Sequence, residues 1–167
     1  RSRRSAPFRL PTSVRTLAYA AGIIDGEGSI FYVQPRPPRG TRCPYTMPTV
    51  GVAVQMSDPK VVRWLQAEFG GPFYVVKHKP RAMPPSGRPV TSNRQLYYWR
   101  LVSGKAADFL GLLLPYLITK KPQAEVALAI RGVLEFKSRK MTVNDLRAVT
   151  PLGKRLKVLN RSGTQYP

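Results

Sequence analysis

The sequence predicts a mixed α+β fold: an αββαββα core with a four-stranded antiparallel sheet, followed by C-terminal helices. Three observations carry this. Apolar residues recur at helical spacing in residues 13–25 and again in 59–69. A strict two-residue alternation runs through residues 49–57. Each helical stretch is followed by two strand-like segments joined by a loop, which is how antiparallel strands connect. With 167 residues, 43% of them hydrophobic, and two Trp, the chain can bury the core of one domain. Residues 1–12 read as a basic N-terminal arm, 13–160 as a single domain and 161–167 as a tail.

The elements follow in order. Thr12 or Ser13 caps the first helix, whose apolar positions Val14, Leu17, Ala18, Ala21 and Ile24 share one stripe. Ala20 and Ile23 make its other face apolar too, so this helix is expected to be covered on both sides. Residues 29–36 and 49–57 are the first two strands. In the second, Val50, Val52, Val54 and Met56 form a core face, and Thr49, Gly51, Ala53 and Gln55 form a small, polar one. Ser57 or Asp58 caps a second helix that has Pro59 at its first position, an apolar stripe of Val61, Val62, Leu65 and Phe69, and a stop at Gly70 and Gly71. Residues 73–79 and 95–103 read as strands, 106–116 and 122–136 as helices, and 143–159 as one last helix or two.

The two hairpin connections are long, stiff and basic. Residues 35–48 hold five Pro and three Arg, and residues 80–94 hold four Pro and three Arg. Loops of that length without structure of their own usually serve a function or are disordered.

Charge narrows the partner. Twenty-eight Lys and Arg against eight Asp and Glu give a net charge of +20. Self-repulsion on this scale is best tolerated when a polyanion neutralises it, which points to nucleic acid. The longest apolar runs are well short of the roughly 20 residues needed to cross a bilayer. One Cys and one His exclude a disulfide framework and a structural zinc site, so any metal must be held mainly by oxygen. The expected location is the cytoplasm, with the nucleoid, or an organelle matrix.

Against that background the acids at the end of the first helix stand out: Asp25 and Glu27 are set among Gly22, Gly26 and Gly28. Glu27 with the Gly26 carbonyl can hold a hard divalent cation and leave positions for water and phosphate. The plainer reading of Asp-Gly-Glu-Gly alone is a helix end and tight turn, with Glu27 a solvated acid.

The full string Ala20-Ala21-Gly22-Ile23-Ile24-Asp25-Gly26-Glu27-Gly28, followed by Ser29 and Ile30, resembles the nine-residue motif of the LAGLIDADG homing endonucleases. The element order over residues 13–136 is also similar to that family's core. Ala stands for the first Leu and Glu for the second Asp. Only one copy of the motif is present.

The resemblance implies a homodimer through the Val14–Asp25 helix, with Ala18, Ala21 and Gly22 allowing close approach and the two Glu27 carboxylates side by side. It further implies Mg²⁺-dependent hydrolysis of duplex DNA, one cut per strand, at a long, nearly palindromic site associated with intron homing. Mn²⁺ or Ca²⁺ would occupy the same site. Gly26 and Glu27 would be the ligands, Asp25 would shape the helix end, and Lys120, or Lys121 in its stead, would stabilise phosphate charge. Gln55 is the candidate for orienting water, although alignment through Asp58 puts Met56 there, and Lys60 falls at a basic pocket position.

DNA recognition would fall to the polar face of the sheet. Ser29, Gln34, Gln55, Lys77, His78, Lys79 and Arg100 are its candidates, with the facing of His78 and Arg100 undetermined. Arg36, Arg39, Arg42, Arg81, Arg88, Arg94, Arg139 and Lys140 would contact phosphates, as would Lys120. Two alternatives remain open: an intron-RNA maturase, or a basic RNA-binding protein that cleaves nothing. No membrane or further protein partner is implied.

Overall fold

The computed structural model describes residues 13–35, 47–76, 95–135 and 142–161. Helix α1 (Val14–Glu27) runs directly into strand β1 (Gly28–Val33), and β2 (Thr49–Met56) returns beside it. Helix α2 (Pro59–Phe69) leads to β3 (Phe73–Val76) and β4 (Leu96–Val102). Three helices follow: α3 (Gly104–Leu113), α4 (Lys121–Glu135) and α5 (Val143–Arg161). The strands form one antiparallel sheet in the order β1-β2-β4-β3.

Local chemistry sets the helix ends. The Ser13 side chain accepts the Arg15 N–H at 3.2 Å, and Asp58 accepts that of Lys60 at 2.8 Å, each satisfying an orphan donor of a first turn. Gly70 and Gly71, with φ of 71° and 85°, carry the chain out of α2 through backbone that side chains rarely adopt. The Gly70 carbonyl then accepts the buried Trp99 indole N–H at 2.7 Å, pinning that turn to β4.

The core lies between one sheet face and the helices. Ile30, Val50, Val52, Val54, Trp99 and Leu101 supply the sheet side; Ile24, Leu65, Phe69, Phe109, Leu110, Ile130 and Leu156 pack onto it. Phe109 meets Phe69 edge-on at 4.8 Å and Trp99 at 5.4 Å, joining α2, α3 and β4.

Several expectations are corrected. Val14 and Ala18 are exposed, while Ala20 is buried and Ile23 partly buried, so the core-facing side of α1 is rotated from the predicted stripe. The far sheet face is less polar than expected, because the Phe31 ring lies over Gly51 and Ala53 is 6% exposed. A Cβ on Gly51 would come within 2.3 Å of that ring. Of the one or two helices expected at the end, the structure has one, with Pro151 inside it, and Gly153 lets it close on β1, where a Cβ would fall 2.5 Å from the Tyr32 ring. The predicted extension of β3 to residue 79 lies outside the described residues.

Candidate active site and nucleic-acid face

The carbonyl end of α1 is where the acids fall, and it is tightly built. Gly28 closes the helix with its N–H on the Ile23 and Ile24 carbonyls. A Cβ there would sit 2.7 Å from the Ile24 backbone, so the direct passage from helix to strand requires glycine. Gly26, by contrast, faces open space.

The segment between α3 and α4 wraps this end. The two carboxylate oxygens of Asp25 accept the backbone N–H groups of Ile118 and Lys120, each at 2.8 Å. In return the Lys120 ammonium donates to the Ile24 carbonyl at 2.8 Å and the Asp25 carbonyl at 2.9 Å. A cation at a helix C-terminus meets the negative end of the macrodipole and satisfies orphan carbonyls. Burial pushes the Lys120 ammonium below the ordinary lysine value; the charges of Asp25 and Glu27 oppose that.

Glu27 and Gly26, at the tip of α1, are exposed. Among the described residues no three His, Cys, Asp or Glu stand together. The exposed residues at this end that could offer oxygen to a hard cation, its shell completed by water or phosphate, are Glu27 through its carboxylate and Gly26 through its carbonyl.

The remaining candidates spread outward from here. The last β1–β2 pair is Gly28 with Val54, so Gln55 lies one residue past it, at the same end of the sheet as Glu27. Gln55 is exposed and shares the open face with Ser29, which pairs with Ala53. Met56 is half-buried against the core. Lys60 is exposed in the first turn of α2. Arg100 pairs with Ala53, which fixes its side on the open face, and its guanidinium lies 5.7 Å from the centre of the Tyr74 ring. Gln34 lies beyond β1, and its side chain accepts the Tyr32 hydroxyl at 3.1 Å. Arg36, Arg39, Arg42, Lys77, His78, Lys79, Arg81, Arg88, Arg94, Arg139 and Lys140 lie outside the described residues.

Sequence reasoning missed three features. Tyr74 and Tyr98 pair across β3 and β4 beside Arg100, giving the open face an aromatic strip that the unknown register concealed. A cleft of about 570 Å³ is lined by Tyr74, Arg100, Ser103, Gly104 and Lys105 at the sheet margin. Near the acids, Asn160 of α5 donates to the Ile30 carbonyl at 2.7 Å, bringing the end of α5 against β1, a contact across 130 residues that no local pattern announces. No helix among the described residues is long and apolar enough to cross a membrane.

A scan of protein-family models finds no match to this sequence, and a search of curated protein sequences finds none. Solved structures do match. The homing endonuclease I-CvuI, solved with a DNA target in the presence of Mg, is 21% identical, with 92% of this chain and 86% of that chain covered at a TM-score of 0.64. The archaeal intron-encoded homing endonuclease I-Vdi141I, complexed with DNA, is 17% identical, covering 92% and 89% at 0.64. The I-SmaMI LAGLIDADG homing endonuclease, bound to cleaved DNA, is 15% identical, covering 96% of this chain and 51% of that chain at 0.61. In its helix-led, four-stranded architecture this chain has the fold of the LAGLIDADG homing endonucleases.

Proposed function

We propose that this chain is a site-specific DNA endonuclease that acts as a homodimer of one catalytic unit, residues 13–160, on a long, nearly palindromic duplex. The observation that carries this reading is an exposed Glu27 at the same helix end where the Ile24 and Asp25 carbonyls hold the Lys120 ammonium and the Asp25 carboxylate holds the Lys120 backbone N–H. A basic chain of the homing-endonuclease fold has reason to keep such a constellation where a phosphodiester can reach it.

Glu27 and the Gly26 carbonyl hold a divalent cation, Mg²⁺ foremost. When bound, that cation supplies an activated water and stabilises charge on the scissile phosphate. Lys120 adds fixed positive charge beside the phosphate, Gln55 orients water at the same sheet end, and Lys60 adds a basic group. Asp25, with both carboxylate oxygens already committed to backbone N–H groups, positions Lys120 and leaves the metal to Glu27.

The dimer is supported by α1 itself. Val14, Ala18, Gly22 and Gly26 are exposed along one side, and nothing stands within 4 Å of a Cβ placed on either glycine. Two such helices can approach closely and bring both Glu27 groups to one centre. The match to about half of I-SmaMI suits a chain that functions in two copies. The open sheet face follows the major groove through Ser29, Gln55 and Arg100, while the loop and C-terminal cations outside the described residues contact phosphates.

The test is incubation of the protein with DNA flanking its own gene's insertion site, with and without Mg²⁺. Cutting of both strands at one locus, only with the cation, is the expected result. Binding with no cutting under any divalent cation would remove the nuclease reading.

A further inference from the structure

Helix α5 carries five Lys and Arg, and four of them, Lys154, Arg155, Lys157 and Arg161, fall within its last eight residues. All five are exposed. The one acid of the helix, Asp145 in its first turn, is 4% exposed and accepts the Thr142 N–H at 2.9 Å, so it does not offset the cations of the last turns.

Contacts orient these cations. Gly153 lies against the Tyr32 ring, the Lys157 ammonium is 5.9 Å from the centre of that ring, and Asn160 donates to the Ile30 carbonyl at 2.7 Å. Positions spaced in this way share one side of a helix, and here that side meets β1. Lys154 stands three residues before Lys157 and Arg161 four after it, so the three form a ridge along the β1 side of the exposed surface. Arg155 shares its side with Leu152 and Leu159 instead, which pack on the core, and the Leu159 carbonyl accepts from Gln123 of α4 at 3.5 Å. Arg155 is thereby turned toward α4.

The ridge leads to the candidate active site. Leu159 and Asn160 line a cleft of about 310 Å³ with Asp25, Ser29 and Lys120. A strand that brings a phosphate to Glu27 therefore has the last turn of α5 beside its path. From Lys154 to Arg161 the helix rises about 10 Å, at roughly 1.5 Å per residue. That is about three phosphate steps of one DNA strand, at roughly 3.4 Å each along the axis.

We propose that Lys154, Lys157 and Arg161 form a rail for the DNA backbone beside the cut, extending the contact past the sheet face onto α5. Such contacts fix the position of the duplex without reading its sequence. The rail rests on the duplex-DNA reading above and adds contacts which that reading leaves unassigned.

The experiment measures binding of the full chain to a plain duplex across a salt series, without Mg²⁺. It compares the parent, a triple variant (Lys154→Gln, Lys157→Gln and Arg161→Gln), the single Arg161→Gln, and Arg155→Gln as the control for charge lost from the same helix. The slope of log affinity against log salt is expected to fall by about 2–3 per subunit in the triple variant and by about 1 in Arg161→Gln, from about 0.9 per phosphate contact. Arg155→Gln should leave it nearly unchanged. The single variant gives the answer should the triple variant fail to fold by circular dichroism. An unchanged slope overturns the proposal, as does a fall no larger per charge than in Arg155→Gln, or a loss of affinity confined to structured RNA. Because the slope is read without cleavage, a parent protein that binds duplex but cuts none with Mg²⁺ fails the nuclease reading alone, and the salt series still decides the rail.

Discussion

Asp25 and Lys120 hold each other twice across 95 residues of sequence: the Asp25 carboxylate accepts the Lys120 backbone N–H at 2.8 Å, and the Lys120 ammonium donates to the Asp25 carbonyl at 2.9 Å. The relationship makes the acid a brace and the lysine the braced group. Asp25→Ala strips the acceptors from two backbone donors and is expected to cost about 1–2 kcal/mol in urea unfolding. It should also slow cutting more than it weakens DNA binding, since Lys120 loses its fixed position.

Lys120 should leave a mark on pH-dependent stability. Burial lowers the pKa of its ammonium in the folded chain below the ordinary 10.5, against the pull of Asp25 and Glu27. The unfolded chain therefore binds that proton more tightly, and the contribution of Lys120 to stability rises as pH climbs from the lowered value toward 10.5. Urea melts of the parent and Lys120→Met over this range, without DNA or metal, should show the difference moving in the parent's favour.

Two glycines of the motif helix should behave oppositely. Gly28→Ala forces a Cβ to within 2.7 Å of Ile24 backbone atoms that cannot give way, and is expected to cost about 1–3 kcal/mol. Gly22→Leu enters open space, so circular dichroism and melting temperature should change little. Sedimentation should nevertheless shift that variant from dimer to monomer, and a dimer persisting in Gly22→Leu would move the subunit contact away from α1.

Arg100 tests the sheet face. Its register with Ala53 sets it on the open face proposed to meet the duplex. Arg100→Ala should weaken binding to the cognate duplex by about 1–3 kcal/mol and relax the preference for one base in competition assays. An unchanged preference at every position would mean that Arg100 reads no base.

Much of this architecture was legible in the chain. The Asp58 cap, Pro59 and the Gly70-Gly71 stop bounded α2, and the valine alternation of β2 named its core face, because these features are written in consecutive residues. The orientation of α1 was not legible, since its faces differ little in polarity and only the packing of Ile23 and Ala20 against the core decides between them. The side of Arg100 waited on the β2–β4 register. The expectation that Asp25 shapes a helix end did not include its grip on Ile118 and Lys120, which joins segments nearly a hundred residues apart. Whether the last segment is one helix or two was also open; α5 continues through Pro151, with the Thr150 hydroxyl donating to the Leu146 carbonyl at 2.7 Å.

Glu27→Gln tests the central claim most directly, because it removes one charge from an exposed side chain that supports no packing. Measured on the same DNA with Mg²⁺, this variant should bind as the parent does and cut neither strand. Cutting at the parental rate would contradict the account and return Glu27 to the status of a solvated acid at the end of a helix.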